Sequence, residues 1–372
     1  MSVTVNGSNG ITFNDGSSQT AAASPFGLKN RIINGDMRID QRNAGASITV
    51  TTGNVYGADR FNSSKSTSSG TMTVQQSTTA PTGFKNSLLH TVSTGASPAA
   101  GDQNRVEHCV EGYNFADLDF GTANAKTFTF SFWVRSSVTG TYAVAFLNAA
   151  WNRSYVATYT VSSANTWEQK TITIAGDTTG TWATDNTVGI RFKFDLGSGS
   201  TSNTATPNQW VSGEYYRTSS TVTLLSTTGA TFYITGVQLE VGSTATPFER
   251  RMYGNELALC QRYCFVDGYV GNAYTRFPLA YATSTTQSLT VLSFPVTMRT
   301  VPSLTWSGPF AEVLNTGGGA TGTSVTITGD GNSDNHVSFL FNYSSGSVGS
   351  NSINAIRINN STTWKAIFSA EL

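Results

Sequence analysis

Hydrophobic residues recur at every second position over short runs of this chain, and Gly, Asn, Asp and Ser fill the gaps between runs. The clearest run is 128–135, where Phe128, Phe130, Phe132 and Val134 alternate with Thr129, Ser131 and Trp133. A period of two places one set of side chains on a core and the other outside, the mark of a half-buried strand. Residues 190–196 repeat it: Ile190, Phe192, Phe194 and Leu196 are expected inward, with Arg191, Lys193 and Asp195 pointing to water. Further runs at 141–147, 153–161, 167–174 and 231–241 keep a spacing of roughly ten to fifteen residues, the rhythm of an antiparallel sandwich. Two packed sheets of this length suggest a jelly roll.

The same pattern divides the chain. Residues 1–27 form a polar arm rich in Gly, Ser and Asn, closed by Pro25 and Gly27, with too little apolar surface to order itself alone. A β-rich region follows over 28–250. Residues 251–265 hold the one good helix candidate, with Asn255 as N-cap and Leu257, Cys260 and Cys264 on one stripe, and it is expected to hinge two domains. A smaller β-sandwich takes up 266–372. The expected fold class is therefore all-β: extended N-terminal arm, jelly-roll-like β-sandwich, short linking helix and smaller C-terminal β-sandwich.

Composition narrows the function. Charged residues make up only 12% of 372 residues, and 22 Lys+Arg balance 22 Asp+Glu, with no basic run. A phosphate backbone has nothing to bind there, so nucleic acid is not an expected partner. No apolar run approaches the ~20 residues of a membrane helix, and the first residues lack the pattern of a signal peptide. Membrane insertion is not expected. Cys109, Cys260 and Cys264 read as packed thiols rather than a disulfide framework.

Candidate chemistry is sparse. Glu107, Glu111, Asp117 and Asp119 form the densest acidic cluster, the one place to look for a glycosidase pair, but Glu107 and His108 are adjacent in a strand and face opposite ways. The spacing of Asp330, Asn332 and Asp334 resembles a cation loop, yet position 341, where a bidentate Glu belongs, is Phe. No catalytic residue, metal site or cofactor is expected. Aromatics offer more, because the apolar faces of sugar rings stack on exposed Trp and Tyr. Trp151, Trp182, Trp210, Tyr215 and Tyr216 lie in polar, loop-like surroundings, with Trp306 and Tyr343 as similar candidates further on.

Four stretches carry a resemblance. The run from Ile11 to Ala22 (Ile-Thr-Phe-Asn-Asp-Gly-Ser-Ser-Gln-Thr-Ala-Ala) resembles the opening of many bacteriophage tail-fibre proteins. Residues 30–45 with Ala58-Asp59-Arg60-Phe61 resemble the start of a β-sandwich domain recurrent in such fibres, and 236–251 (Gly-Val-Gln-Leu-Glu-Val-Gly-Ser-Thr-Ala-Thr-Pro-Phe-Glu-Arg-Arg) resemble its end. That domain looks like a carbohydrate-binding module. Residues 294–304 and the terminal Phe-Ser-Ala-Glu-Leu resemble the distal domain of the same proteins. The resemblance implies a homotrimer in the virion, assembled in the host cytoplasm. It would be attached to tail or baseplate proteins through the arm (Val3, Val5, Ile11 and Phe13), with host cell-surface polysaccharide as receptor. Its motifs are scaffold elements, so no binding residue comes with them. Asp59 and Arg60 read as a buried turn-locking pair. The rival expectations are a purely structural fibre, collar or head-decoration protein and, behind it, a polysaccharide depolymerase.

Overall fold

A computed structural model describes residues 4–6, 10–12, 18–19, 28–66, 70–268, 279–307, 311–315, 318–328, 331–343, 353–358 and 364–372. The alternating runs become two antiparallel sheets packed face to face. One has six strands in the spatial order Glu168–Ile174, Phe128–Ser136, Thr231–Val241, Ser87–Thr94, Thr71–Ser77 and Ile48–Thr49. The other has seven: Trp210–Ser212, Arg153–Val161, Gly140–Leu147, Val188–Asp195, Asn104–Glu111, Phe61–Lys65 and Val55–Ala58. The chain crosses repeatedly from sheet to sheet, as in a jelly roll.

Between the sheets lies an aromatic core. Phe128, Phe130, Phe132 and Val134 from one sheet, and Ile190, Phe192 and Phe194 from the other, are fully buried. Phe130 meets Phe192 at 4.8 Å between ring centroids, and Phe132 meets Phe194 edge-on at 4.9 Å. Such contacts add about 0.5–1.5 kcal/mol each beyond the area they bury. His108 belongs to this core, stacked on Phe192, while Glu107 lies on the opposite face of the sheet, as the alternation requires.

One expectation for this region is overturned. Arg191, Lys193 and Asp195 do face away from the core, but they do not reach water: they are 8%, 0% and 1% exposed. Trp151 and Tyr216 cover the first two, and Arg217 pairs with Asp195 at 3.7 Å. Period-two patterning tells which face a side chain takes, and it is silent about loops that fold back over that face.

The helix is shorter than expected. It spans Tyr253–Gln261, and strand resumes at Cys264, so the 251–265 segment is helical only in its middle. Asn255 sits inside it; Met252 is the N-cap and makes no side-chain cap bond. Nor does the helix leave a loose hinge. Cys260 and Tyr263 pack with Ile33 and Ile39 of the sandwich, and Leu257 and Leu372 join that cluster. The three cysteines are free and buried.

The C-terminal unit has two parts. Cys264–Asp267, Lys365–Ser369 and Ser303–Ser307 make a three-stranded sheet. Six further strands, Ala280–Ser284, Gln287–Ser293, His336–Tyr343, Gly318–Ile327, Ala311–Asn315 and Ile353–Ile358 in ring order, close into a barrel. Val337, Phe339, Phe341 and Tyr343 share the inward face of one strand and pack with Phe294, Met298, Trp364 and Phe368. In the arm, Thr4–Asn6, Gly10–Thr12 and Ser18–Gln19 pair as an antiparallel meander, which gives it local backbone order that its composition did not suggest. Val5 and Ile11 are register partners there; Val3 and Phe13 lie outside the described residues.

Candidate functional site

The aromatic residues singled out from sequence separate into three places. Trp151 sits at φ +60° beside the seven-stranded sheet, with the Arg191 guanidinium 3.6 Å and the Lys193 ammonium 3.8 Å from its ring centroid. Lys193 also lies 4.3 Å from the Tyr216 ring and 3.3 Å from Glu107. Burial pushes the Lys193 amine down to about 7 against the opposing pull of Glu107. These ring faces are taken by the protein's own cations. Tyr216 is buried and Trp151 and Tyr215 are half-buried around the same cluster. Trp151 and Tyr216 therefore form a closed cluster rather than a sugar platform, with Tyr215 packed against it.

Trp182 and Trp210 come together at one end of the core, edge-on at 5.3 Å, with Phe120 against both. Trp182 is 8% exposed and its indole N–H donates to Thr179 O; that of Trp210 donates to Ala175 O. In the distal unit Trp306 stacks on Trp364 at 5.6 Å, and Tyr343 is buried. Trp182, Tyr216 and Tyr343 are buried and thus present no ring to an outside ligand.

The acidic cluster is likewise dispersed. Glu107 pairs with Arg191, Lys193 and Arg105, Glu111 with Arg262, Asp117 with Arg31 and Asp119 with Lys126. Each carboxylate has its own cation, and no two share a cleft. Asn332 bonds Thr328 O and the Ser338 N–H in a turn, and no group of metal-ligating side chains occurs among the described residues.

An open groove of about 660 Å³ does present aromatic rings to solvent, on the outer face of the six-stranded sheet. Its floor is Trp133, with Gln169 directly opposite on the edge strand and Thr171 two residues further along. One wall is Phe84; the other is the turn carrying Thr246, Pro247, Phe248 and Arg250. Phe84 and Phe248 meet edge-on at 5.2 Å.

Local sequence explains the geometry. The ladder between Phe128–Ser136 and Thr231–Val241 slips at Ser131/Trp133, and Gly236 stands in that irregularity at φ +61°. A Cβ there would lie 2.7 Å from Phe84 and 3.0 Å from Trp133, so only glycine lets both rings settle over the bulge. The second wall is fixed by two carboxylates, Glu240 buried and Glu249 half-buried. Glu240 accepts from the Thr246 N–H at 2.9 Å and the Thr246 hydroxyl at 2.6 Å. Glu249 accepts from the backbone N–H groups of Lys29 and Asn30. Asn30 in turn accepts from the N–H groups of Ile32 and Leu239, tying the start of the sandwich to its end.

Of the groove residues, Trp133 was read from sequence only as the outward position of a strand, and Phe84, Phe248 and Arg250 were missed as site residues. Phe248 and Arg250 fall in the 236–251 stretch taken as scaffold. No short-range signal joins positions so far apart in the chain; an outward Trp in a strand was the one available hint.

Fold and groove define an all-β protein with an aromatic surface groove on a sandwich. No family model and no curated protein matches the chain. Among solved structures it is similar to the enzymatically active domain of tailspike protein 4 of bacteriophage CBA120, at 12% identity and TM-score 0.30 over 58% of this chain and 22% of that one. It is also similar to a putative sugar binding protein from Bacteroides thetaiotaomicron (11% identity, TM-score 0.33, 57% of this chain and all of that one). A third is a family 11 carbohydrate-binding module from Clostridium thermocellum in complex with a mixed-linked tetrasaccharide (12% identity, TM-score 0.27, 55% of this chain and all of that one).

Proposed function

We propose that this protein is a non-enzymatic bacteriophage fibre component that recognises a host-surface glycan, with the Phe84–Trp133–Phe248 groove as the sugar site. The groove itself carries the reading: it joins rings open to solvent with Gln169 and Thr171 as hydrogen-bonding groups, the pairing a pyranose needs. The resemblance of the arm and of both sandwich edges to phage fibres supports placement in a virion, as a homotrimer held through residues 1–27. The pairing of Glu107, Glu111, Asp117 and Asp119 with separate cations supports binding without hydrolysis.

Binding of purified protein to host envelope polysaccharide tests it. Losing one stacked ring in Trp133→Ala should weaken binding about tenfold, since 1.4 kcal/mol is a factor of ten. Equal binding by wild type and variant would remove the groove from the reading, and release of reducing ends would bring back the depolymerase.

One observation favours the rival, a fibre that only links other virion proteins. Ile353, Tyr281, Leu289 and Leu340 are successive register partners across four strands of the barrel, and Ile353 and Tyr281 are 72% and 48% exposed. Such an apolar row suits a protein interface better than a sugar.

A further inference from the structure

We infer that the groove selects an acidic glycan, with Arg250 reading an anionic substituent on the sugar. The inference rests on the glycan reading above and adds the class of ligand.

Two consecutive arginines close the wall, and they are used in opposite ways. Arg251 is buried, pairs with Glu249 at 3.4 Å and Glu256 at 3.3 Å, and donates to Asn30 O and Ile32 O. Both of its terminal nitrogens are engaged in holding the sandwich closed. Arg250 is exposed at the groove and forms no ion pair among the described residues. One N–H group donates to Gly83 O, while the guanidinium carbon lies 4.7 Å from the Phe84 centroid and 5.7 Å from that of Phe248. The two rings and the carbonyl hold the planar group in place, so part of the ordering cost of an ion pair is met before any ligand arrives.

No carboxylate lines the groove. The acids of the same wall are engaged inside it: Glu240 with Gln238 and Thr246, Glu249 with Lys29, Asn30 and Arg251. Asp36, the acid that feels the Arg250 charge, is buried and lies 3.4 Å from Arg38. One preorganised cation without a counter-charge, beside stacking rings and an amide, is complementary to a sugar bearing carboxylate or phosphate. A neutral sugar would leave the guanidinium unmatched.

Calorimetric titration of the full chain at low salt tests this with oligogalacturonate and its methyl ester, which share a ring and differ in charge. A second arm uses a phosphomannan and unphosphorylated mannan. The expected result is at least tenfold tighter binding of one acidic form over its neutral partner. That preference should disappear in Arg250→Gln, survive in part in Arg250→Lys, and shrink at high salt, with melting temperatures unchanged. Preference in the first arm assigns a carboxylate and in the second a phosphate. Equal binding of acid and neutral partner overturns the acidic class and leaves the glycan site standing. Failure of all four probes, with Trp133→Ala indistinguishable from wild type, overturns both.

Discussion

His90 is fully buried, its Nε2 is 2.7 Å from Ser63 Oγ, and burial alone pushes its pKa down to about 3. The folded protein therefore keeps a neutral imidazole where the unfolded chain takes up a proton near pH 6.5. With the folded value depressed, stability is present above pH 6.5 and lost as pH falls towards 3. At pH 4 the loss from this residue reaches about 3 kcal/mol, at 1.36 kcal/mol per pH unit. Asp59 works in the reverse sense, since burial lifts it to about 6 and its contribution is lost as pH rises through that value. His90→Gln isolates the histidine. Urea midpoints at pH 7 and pH 4 should fall less for the variant than for wild type, and a parallel fall would refute the assignment.

At the scale of elements, the alternation in 128–135 and 190–196 was enough to give the core faces, because burial on one side of a sheet leaves a period of two in any sequence. The outer faces were not legible. Lys193 reads as solvated until Trp151 and Tyr216 fold over it, and the groove unites Phe84, Trp133 and Phe248 from a loop, a strand and a turn. Asp59 and Arg60 do lock a turn, but through Gln41, Arg42 and Glu371 rather than each other. Gly236 is where the element and the groove meet. Gly236→Ala places a methyl group against both rings at a left-handed φ, so a loss of about 1–2 kcal/mol is expected together with weaker glycan binding. A stability loss with unchanged affinity would show that the rings do not depend on the bulge.

At the scale of the whole molecule, the last residues of the sequence tie the sandwich to the distal sheet. Glu371, with a 7% exposed side chain, pairs with Arg60, whose side chain is 2% exposed, and with Arg42 at 3.0 Å. Arg60 also donates to Cys109 O and lies 3.5 Å from the Tyr263 ring centroid, so sandwich, helix and distal sheet converge on one guanidinium. A second tie joins Glu111 to Arg262 and the Tyr263 hydroxyl, and a third runs from Arg299 to Asn186 O and Ala370 O. A sandwich and a distal sheet separated by a flexible joint would show none of this. A glycan held by the sandwich would therefore pull on the distal unit through a rigid connection. Glu371→Gln leaves Arg60 buried with its main counter-charge removed, a change that costs about 3–5 kcal/mol when a buried pair is broken. Because that cost falls at the junction, scanning calorimetry should resolve two melting transitions in the variant and a single one in the parent. Replacing both partners by apolar residues, Arg60→Met with Glu371→Leu, should draw the transitions back together, since the Arg60 charge is gone and Arg42 keeps Asp59 at 3.4 Å. A single transition in Glu371→Gln at the parent temperature would mean that the remaining ties alone set the coupling.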